Sequence, residues 1–162
     1  MKANIDGHYQ RSKFRIRWYG EAHSFYPILE EKIKKGELGF KKSIDFNEQF
    51  TQEDLLKNYS LIELDDFDQS NALSLRHPSL INSYHRKYYL SANQKIRVTI
   101  DQNIHYAHPT QSPRKMIHNH IGILELKFEQ EDYPLVQSLI QSLNLRFDKN
   151  SKYVEGMRRI LE

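Results

Sequence analysis

The stretch Lys13–Gly20 reads KFRIRWYG and alternates charged with apolar side chains. Because successive side chains of a strand point to opposite faces, Lys13, Arg15 and Arg17 share one face, with no acidic residue between them. At a separation of about 6 Å and an effective dielectric constant of about 20, each neighbouring pair of these cations repels by roughly 2.8 kcal/mol before screening. The stretch therefore predicts a strand whose cationic face binds an anion.

The composition limits the class of protein. Of 162 residues, 38% are apolar and 28% are charged, and the net charge is only +3, so the distribution of charge matters more than its total. The absence of cysteine excludes disulfides and thiolate metal sites. No apolar run reaches the roughly 18 residues of a membrane-spanning helix, and the N-terminus lacks a signal-peptide pattern. We expect one domain over residues 1–162, located in the cytoplasm and not inserted in a membrane.

Hydrophobic periodicity predicts an α+β fold in which antiparallel strands are flanked by helices. The predicted strands are Lys13–Gly20, Tyr26–Lys35, Phe40–Phe46, Ser83–Ser91, Lys95–Asp101, the short Ile104–Ala107, and Ile121–Glu129. The turn Gly36–Gly39 joins the second and third of them as a hairpin. Helices are predicted from the cap Thr51 to Tyr59, over Asp132–Leu145 and over Val154–Leu161.

Each strong strand places its charged residues on one face. These residues are Arg15, Arg17, Glu30, Lys32, Arg86, Arg97, Glu125 and Lys127. An open antiparallel sheet could turn this ionic face to water, whereas a closed barrel would place it inside a lumen. Only the barrel requires a ligand, since a buried cationic lumen costs several kcal/mol of desolvation per ion unless an anion fills it.

Two carboxylates stand out within the charged set. Glu30 and Glu125 each precede a lysine by two residues, which suits a carboxylate that holds a divalent metal beside a lysine that holds a phosphate oxygen. Oxygen ligands of this kind favour Mg²⁺ or Mn²⁺. The same spacing also fits a ladder of cross-strand salt bridges on a solvated sheet, and both interpretations stay open at this point.

Six stretches, in this order, resemble the VTC domain, the polyphosphate polymerase branch of the CYTH-like triphosphate tunnel metalloenzymes. They are KFRIRWYG, LEEKIK, Tyr84-x-Arg86, IRVTID, LELKF and KNSKYVEG, and they span almost the whole chain. The resemblance implies an antiparallel β-barrel whose basic lumen binds polyphosphate and a nucleoside triphosphate such as ATP. It also implies in-line transfer of a phosphoryl group to a growing polyphosphate, or to water in a hydrolase.

The resemblance also implies residue roles. The phosphate-coordinating catalytic residues would be Arg15, Arg17, Lys32, Arg86, Arg97 and Lys127. Further phosphate ligands would be Lys42 or Lys41 on the returning hairpin strand, and Lys149, Ser151 and Lys152 at the tunnel mouth. The cofactor would be Mn²⁺ or Mg²⁺, held by Glu125, with Glu30 as a second predicted ligand; Asp101 also matches an acidic family position. Such transfer requires positioning and charge neutralisation more than an acid–base residue.

One departure from the family leads to further expectations. Members usually have additional strands and a helical segment before the first motif, whereas 12 residues precede it here. We therefore expect an incomplete barrel. The chain could be a fragment, a partner chain or a second copy could complete the barrel, or the barrel could stay open. An open barrel would make the chain a non-catalytic polyphosphate-binding module or a remnant. A nucleic-acid-binding β-barrel is a third alternative, although no nucleic acid is expected as a partner.

Overall fold

The computed structural model of the protein describes residues 10–35, 38–58, 77–111 and 113–162. The chain divides into two compact units, Met1–Pro78 and Ser79–Glu162. Each unit contains its own antiparallel sheet. Whether the whole chain acts as the predicted single domain stays a prediction.

The first unit contains a three-stranded antiparallel sheet with β2 at its centre. Its elements are β1 (Gln10–Arg17), β2 (Ile28–Lys35), β3 (Leu38–Asp45) and the helix α1 (Gln52–Asn58). Each confirms a predicted element with shifted ends, while residues 36 and 37 of the predicted turn lie outside the described residues. The predicted cap is also confirmed, because the backbone N–H of Asp54 donates to Thr51 Oγ1 over 3.1 Å.

The strand β1 ends at Arg17, three residues before the predicted end. Beyond it, the Trp18 ring stacks on Phe25, with 4.3 Å between the ring centroids. Gly20 then adopts a φ of +84°, a left-handed conformation that glycine accepts without strain. The aromatic contact and the turn therefore remove the last part of the KFRIRWYG stretch from the sheet.

The second unit is built around the longest strand, β5, which pairs with β4 on one side and with β6 and β7 on the other. The strands are β4 (Ile81–Leu90), β5 (Arg97–Ala107), β6 (Ile117–Asn119) and β7 (Ile123–Lys127). The predicted strands Lys95–Asp101 and Ile104–Ala107 thus form one continuous strand, β5. Its pairing with β4 shifts register close to Asn103, which has a φ of +52°. The extra residue of this bulge lies on β5, and beyond it the buried Ile104 and Tyr106 continue the face of Asp101.

Two helices follow the sheet of the second unit, α2 (Tyr133–Ser142) and α3 (Lys152–Leu161). The helix α2 covers the apolar side of the sheet, where Val136 and Ile140 pack with Ile96 of the loop before β5. A short 3₁₀ turn, Gln130–Asp132, leads into α2. The predicted amphipathic helix is therefore confirmed, and its apolar stripe forms one cluster of the core of this unit.

The helix α3 begins two residues earlier than predicted, because Ser151 caps it: the backbone N–H of Val154 donates to the Ser151 hydroxyl over 3.4 Å. Its approach to β5 is close at Gly156. A Cβ atom there would lie 2.6 Å from the Tyr106 ring and 2.7 Å from Leu80. The position of α3, and of Lys152 in its first turn, thus depends on a residue without a side chain.

The predicted α+β class is confirmed by two antiparallel sheets and three α-helices within the described residues. A closed barrel is not found there: β1 and β3 are edge strands of the first sheet, and β4 is an edge strand of the second. That part of the prediction is therefore not confirmed. In the part of the chain that the structure describes, no helix is both long and apolar enough to cross a membrane.

Gly156→Ala should destabilise the second unit by about 1–3 kcal/mol, because a buried ring and a leucine must move to admit the methyl group. The measurement is urea unfolding followed by far-UV circular dichroism. Gly39→Ala is the matched control, since a Cβ atom at Gly39 meets nothing within 4 Å. Equal stability of the two variants would contradict the close packing of α3 on β5.

Candidate functional site

The register of the first sheet brings the predicted cations onto one face. Arg15 lies opposite Glu30, and Lys32 lies opposite Lys13 on one side and Lys41 on the other. Directly paired residues of antiparallel strands point to the same side. The first cationic face, as we call it, consists of Lys13, Arg15, Arg17, Glu30, Lys32, Lys34, Lys41, Ser43 and Asp45. Among the described side chains, six cations stand against two carboxylates, a net formal charge of +4.

Glu30 connects cations from both neighbouring strands. Its side chain is only 3% exposed. The Arg15 Nε donates to Oε2 over 3.0 Å, and the Lys41 Nζ donates to Oε1 over 3.0 Å. The Arg17 Nε lies 3.1 Å from the same Oε1 without hydrogen-bond alignment, while Arg17 Nη1 donates to the Tyr19 hydroxyl over 2.6 Å. One carboxylate on the central strand thus contacts three cations.

Burial and pairing act on the pKa of Glu30 in opposite directions. Burial alone raises the pKa, since it disfavours the charged form. The hydrogen bonds from Arg15 and Lys41, with the charges of Arg15 and Arg17, outweigh burial and hold the pKa below its usual value. Glu30 is therefore ionised at neutral pH and offsets part of the repulsion between the cations.

The hairpin offered two alternative lysines, and the register separates them. Lys41 lies on the first cationic face, whereas Lys42 pairs with Glu31, which on its other side pairs with Phe14, so Lys42 belongs to the opposite face. Lys32 is exposed on the first cationic face. The structure therefore brings Lys41 and Lys32 together with Arg15 and leaves Lys42 apart from them.

The second sheet also carries a charged face, with residues from three adjacent strands. Its polar and aromatic members, the second cationic face, are Arg86, Tyr88, Arg97, Thr99, Asp101, Glu125 and Lys127, to which α3 adds Lys152. Arg97 lies opposite Lys127, and Thr99 lies opposite Glu125. All four residues predicted on these strands thus share one face, and Lys152 reaches it from the helix.

Asp101 is the centre of this face and is fully buried. Arg86 donates two hydrogen bonds to it, from Nε to Oδ1 over 2.5 Å and from Nη2 to Oδ2 over 2.7 Å. The Lys152 Nζ lies 2.5 Å from Oδ2. The Arg86 guanidinium also lies over the rings of Tyr84 and Tyr88, 5.1 and 5.9 Å from their centroids. These contacts restrict Arg86 on several sides.

The charges of this group are also fixed. Burial raises the pKa of Asp101, but the hydrogen bonds from Arg86 and Lys152 outweigh it and keep the pKa below its usual value. The bond to Asp101 raises the pKa of Arg86 in turn. The Asp101 carboxylate and the Arg86 guanidinium therefore stay charged over the physiological pH range.

Glu125 is held much more loosely than Asp101. Its side chain is 42% exposed, its Oε2 lies 3.9 Å from the Arg86 Nη2, and its Oε1 lies 3.5 Å from the Lys127 Nζ. In the described residues, no group of three or more His, Asp or Glu side chains is arranged to hold a metal ion. Mg²⁺, however, commonly uses one or two carboxylates together with phosphate oxygens and water. Glu125 fits that role, because it is accessible and lies beside phosphate-binding types of side chain.

Two of the predicted ligands near α3 have other surroundings. The Ser151 hydroxyl is used as the helix cap, and Lys149 is exposed in the segment that leads to α3. Sequence analysis missed that Ser151 starts the helix, although a serine before an apolar-periodic segment is a known cap signal. It also left the role of Asp101 undefined, because the convergence of Arg86 and Lys152 depends on tertiary structure.

Comparison with known proteins agrees with the resemblance in the sequence. The family model described as "VTC domain" matches residues 1–161. No curated protein was found to match the chain. The match spans both units and thus includes every residue of the two cationic faces.

Lys41→Ala and Lys42→Ala remove the same charge from opposite faces of β3 and should differ in phosphate binding. We expect Lys41→Ala to weaken the binding of inorganic tripolyphosphate by about threefold to tenfold, the effect of an exposed ion contact of roughly 1 kcal/mol. Lys42→Ala should change it less than about twofold. Isothermal titration calorimetry at low salt in EDTA measures both, and equal losses would contradict the assignment of Lys41 to the binding face.

Proposed function

Because the chain belongs to the VTC domain family, we propose that it binds polyphosphate or a nucleoside triphosphate and catalyses metal-dependent phosphoryl transfer. The donor is ATP, and the acceptor is the end of a polyphosphate chain or water. The observation that supports this proposal best is the second cationic face, where the fixed cations Arg86 and Lys152 lie near the accessible carboxylate of Glu125. Fixed cations suit phosphate oxygens, and an exposed carboxylate with only long ion-pair contacts suits a metal.

The described side chains could divide the work of phosphoryl transfer as follows. Arg86, Arg97 and Lys127 bind phosphate oxygens and hold the reacting groups in line. Because Asp101 holds Arg86 in place before the substrate arrives, Arg86 neutralises charge that develops in the transition state with little reorganisation. When bound, Mg²⁺ or Mn²⁺ supplies further positive charge that polarises the transferred phosphoryl group, and Glu125 would hold it.

The first cationic face contributes phosphate binding in this proposal. Four of its six cations, Arg15, Arg17, Lys32 and Lys41, are predicted phosphate ligands, and its net charge remains positive after both carboxylates are counted. A divalent metal on Glu30 would have to displace three cations and overcome their repulsion, so Glu125 is the better candidate ligand. Lys149 and Ser151 remain predicted phosphate ligands. The cytoplasmic location also remains a prediction, and so does a partner chain or second copy that completes a barrel.

A second candidate function is phosphate binding without catalysis. Two carboxylates favour it, because Glu30 and Asp101 each form ion pairs with cations of the protein and so are not open to a metal. Only the single carboxylate of Glu125 then supports a metal on the second cationic face as described. A binding module of this kind would hold triphosphate tightly and show no turnover.

Incubation with ATP and Mn²⁺, followed by assays for polyphosphate and free phosphate, tests the proposal. We expect turnover that Glu125→Gln lowers by about 100-fold or more, because the metal loses its carboxylate, and that Arg17→Ala also reduces. Tripolyphosphate binding in EDTA should survive in Glu125→Gln. The control Glu129→Gln changes the same charge at an exposed position after β7 and should keep full activity.

The outcomes separate the two functions. Tight binding of tripolyphosphate by the unmodified protein without any turnover would favour the binding module. If the protein bound neither tripolyphosphate nor polyphosphate at low salt, both functions would be wrong.

A further inference from the structure

We propose that Asp101 and Glu30 are positioning residues: each holds the phosphate-binding cations around it in a fixed arrangement and contacts neither metal nor substrate. This inference rests on the proposed phosphate-binding function and assigns to the two acids a role different from metal ligation.

Both oxygens of Asp101 are already used by cations of the protein. Oδ1 accepts from the Arg86 Nε, and Oδ2 lies within 2.7 Å of both the Arg86 Nη2 and the Lys152 Nζ. With the side chain fully buried, a metal could reach it only by displacing these partners. Glu125, at 42% exposed and more than 3 Å from its cations, presents the opposite case.

The partners of Asp101 keep groups that can bind phosphate. A guanidinium has five N–H donors, and Asp101 uses two of those on Arg86. The Arg86 side chain is 23% exposed, so its other donors can reach a ligand. Lys152 comes from the start of α3 and is fixed by the same carboxylate. Cations that are already fixed lose less conformational entropy when an anion binds.

The first unit repeats this arrangement with different residues. Glu30 is nearly fully buried on the central strand β2 and contacts Arg15 and Arg17 of β1 and Lys41 of β3. In both sheets, therefore, an inner strand supplies the acid and its neighbours supply the cations. Two independent sheets with the same arrangement support a common role.

A simple count of charge predicts the opposite effect of removing the acid. Loss of a carboxylate raises the net positive charge of the face, which by long-range attraction alone strengthens anion binding. If the carboxylate positions the cations, its loss instead weakens binding, because Arg86 and Lys152 then repel each other and move apart. The sign of the change in affinity thus separates the two accounts.

The experiment measures the Kd of inorganic tripolyphosphate in EDTA for Asp101→Asn and Glu30→Gln. We expect each variant to bind at least about tenfold more weakly, as when a hydrogen-bonded charge loses its partner. The matched controls are Glu129→Gln and Glu48→Gln; both residues are exposed and lie outside the two cationic faces. Both controls should bind as tightly as the unmodified protein or slightly more tightly.

A double-mutant cycle distinguishes positioning from a general loss of structure. Arg86→Lys keeps the charge but cannot form the two parallel hydrogen bonds to Asp101. It should therefore weaken binding in the parent protein and have little further effect in a protein that already carries Asp101→Asn. Circular dichroism and the calorimetric stoichiometry report the folded fraction. If Asp101→Asn does not fold, Glu30→Gln in the other unit decides the question.

The outcomes are distinct. If the parent protein binds tripolyphosphate and the folded acid variants bind it equally or more tightly, this inference is overturned and the proposed function stays intact. Unchanged binding in EDTA with loss only of Mn²⁺-dependent turnover would also overturn it, in favour of metal ligation. No binding of tripolyphosphate by the parent protein would overturn both the inference and the proposed function.

Discussion

A carboxylate buried on an inner strand, with cations from an adjacent strand and, at Asp101, from α3 around it, is the interaction on which both sheets depend. The register sets Arg15 against Glu30 and Arg86 against Asp101. The two carboxylates are buried, whereas Arg15 and Lys41 are more than half exposed, so solvent screens the pairs at Glu30. Each acid offsets the charge of the cations around it and, in the same contact, determines where they point.

This interaction also answers a question that the sequence raised. The repulsion along Lys13, Arg15 and Arg17 indicated an anion, and Glu30 supplies part of it from within the protein. A cross-strand salt bridge and a phosphate-binding face are thus compatible, because the acid offsets only part of the positive charge. The excess that remains, +4 on the first cationic face, is what a polyanion can use.

The helix α3 connects the packed core of the second unit with the second cationic face. Gly156 allows the helix to approach Tyr106 closely, and Ser151 begins the helix one residue before Lys152. These two features bring the Lys152 ammonium to Asp101. The helix is therefore part of the charged group as well as part of the core, which connects the stability of this unit with the geometry of its cations.

Much of this arrangement could be predicted from residue patterns. The alternation of charged and apolar residues predicted which face of each strand is cationic, and the order of the six motifs indicated the family. The choice between Lys41 and Lys42 could not be predicted, because a shift of one residue in register reverses the face of a side chain. The continuity of β5 through Asn103 was missed because a bulge depends on the partner strand.

The roles of the acids were harder still to predict. Spacing alone made Glu30 and Glu125 equivalent, since each precedes a lysine by two residues. The structure distinguishes them by burial and by the number of cations at each carboxylate, which are consequences of register and tertiary contact. The closed barrel implied by the resemblance is a property of several elements together and is not found among the described residues.

A crystal structure of the protein with tripolyphosphate bound, without a divalent metal, would show whether the buried acids hold the cations in place for phosphate. We expect phosphate oxygens at Arg86 and Lys152, with Asp101 still bound to both cations. Phosphate bound away from the two cationic faces, or an Asp101 carboxylate released from Arg86 and Lys152 on binding, would contradict this expectation.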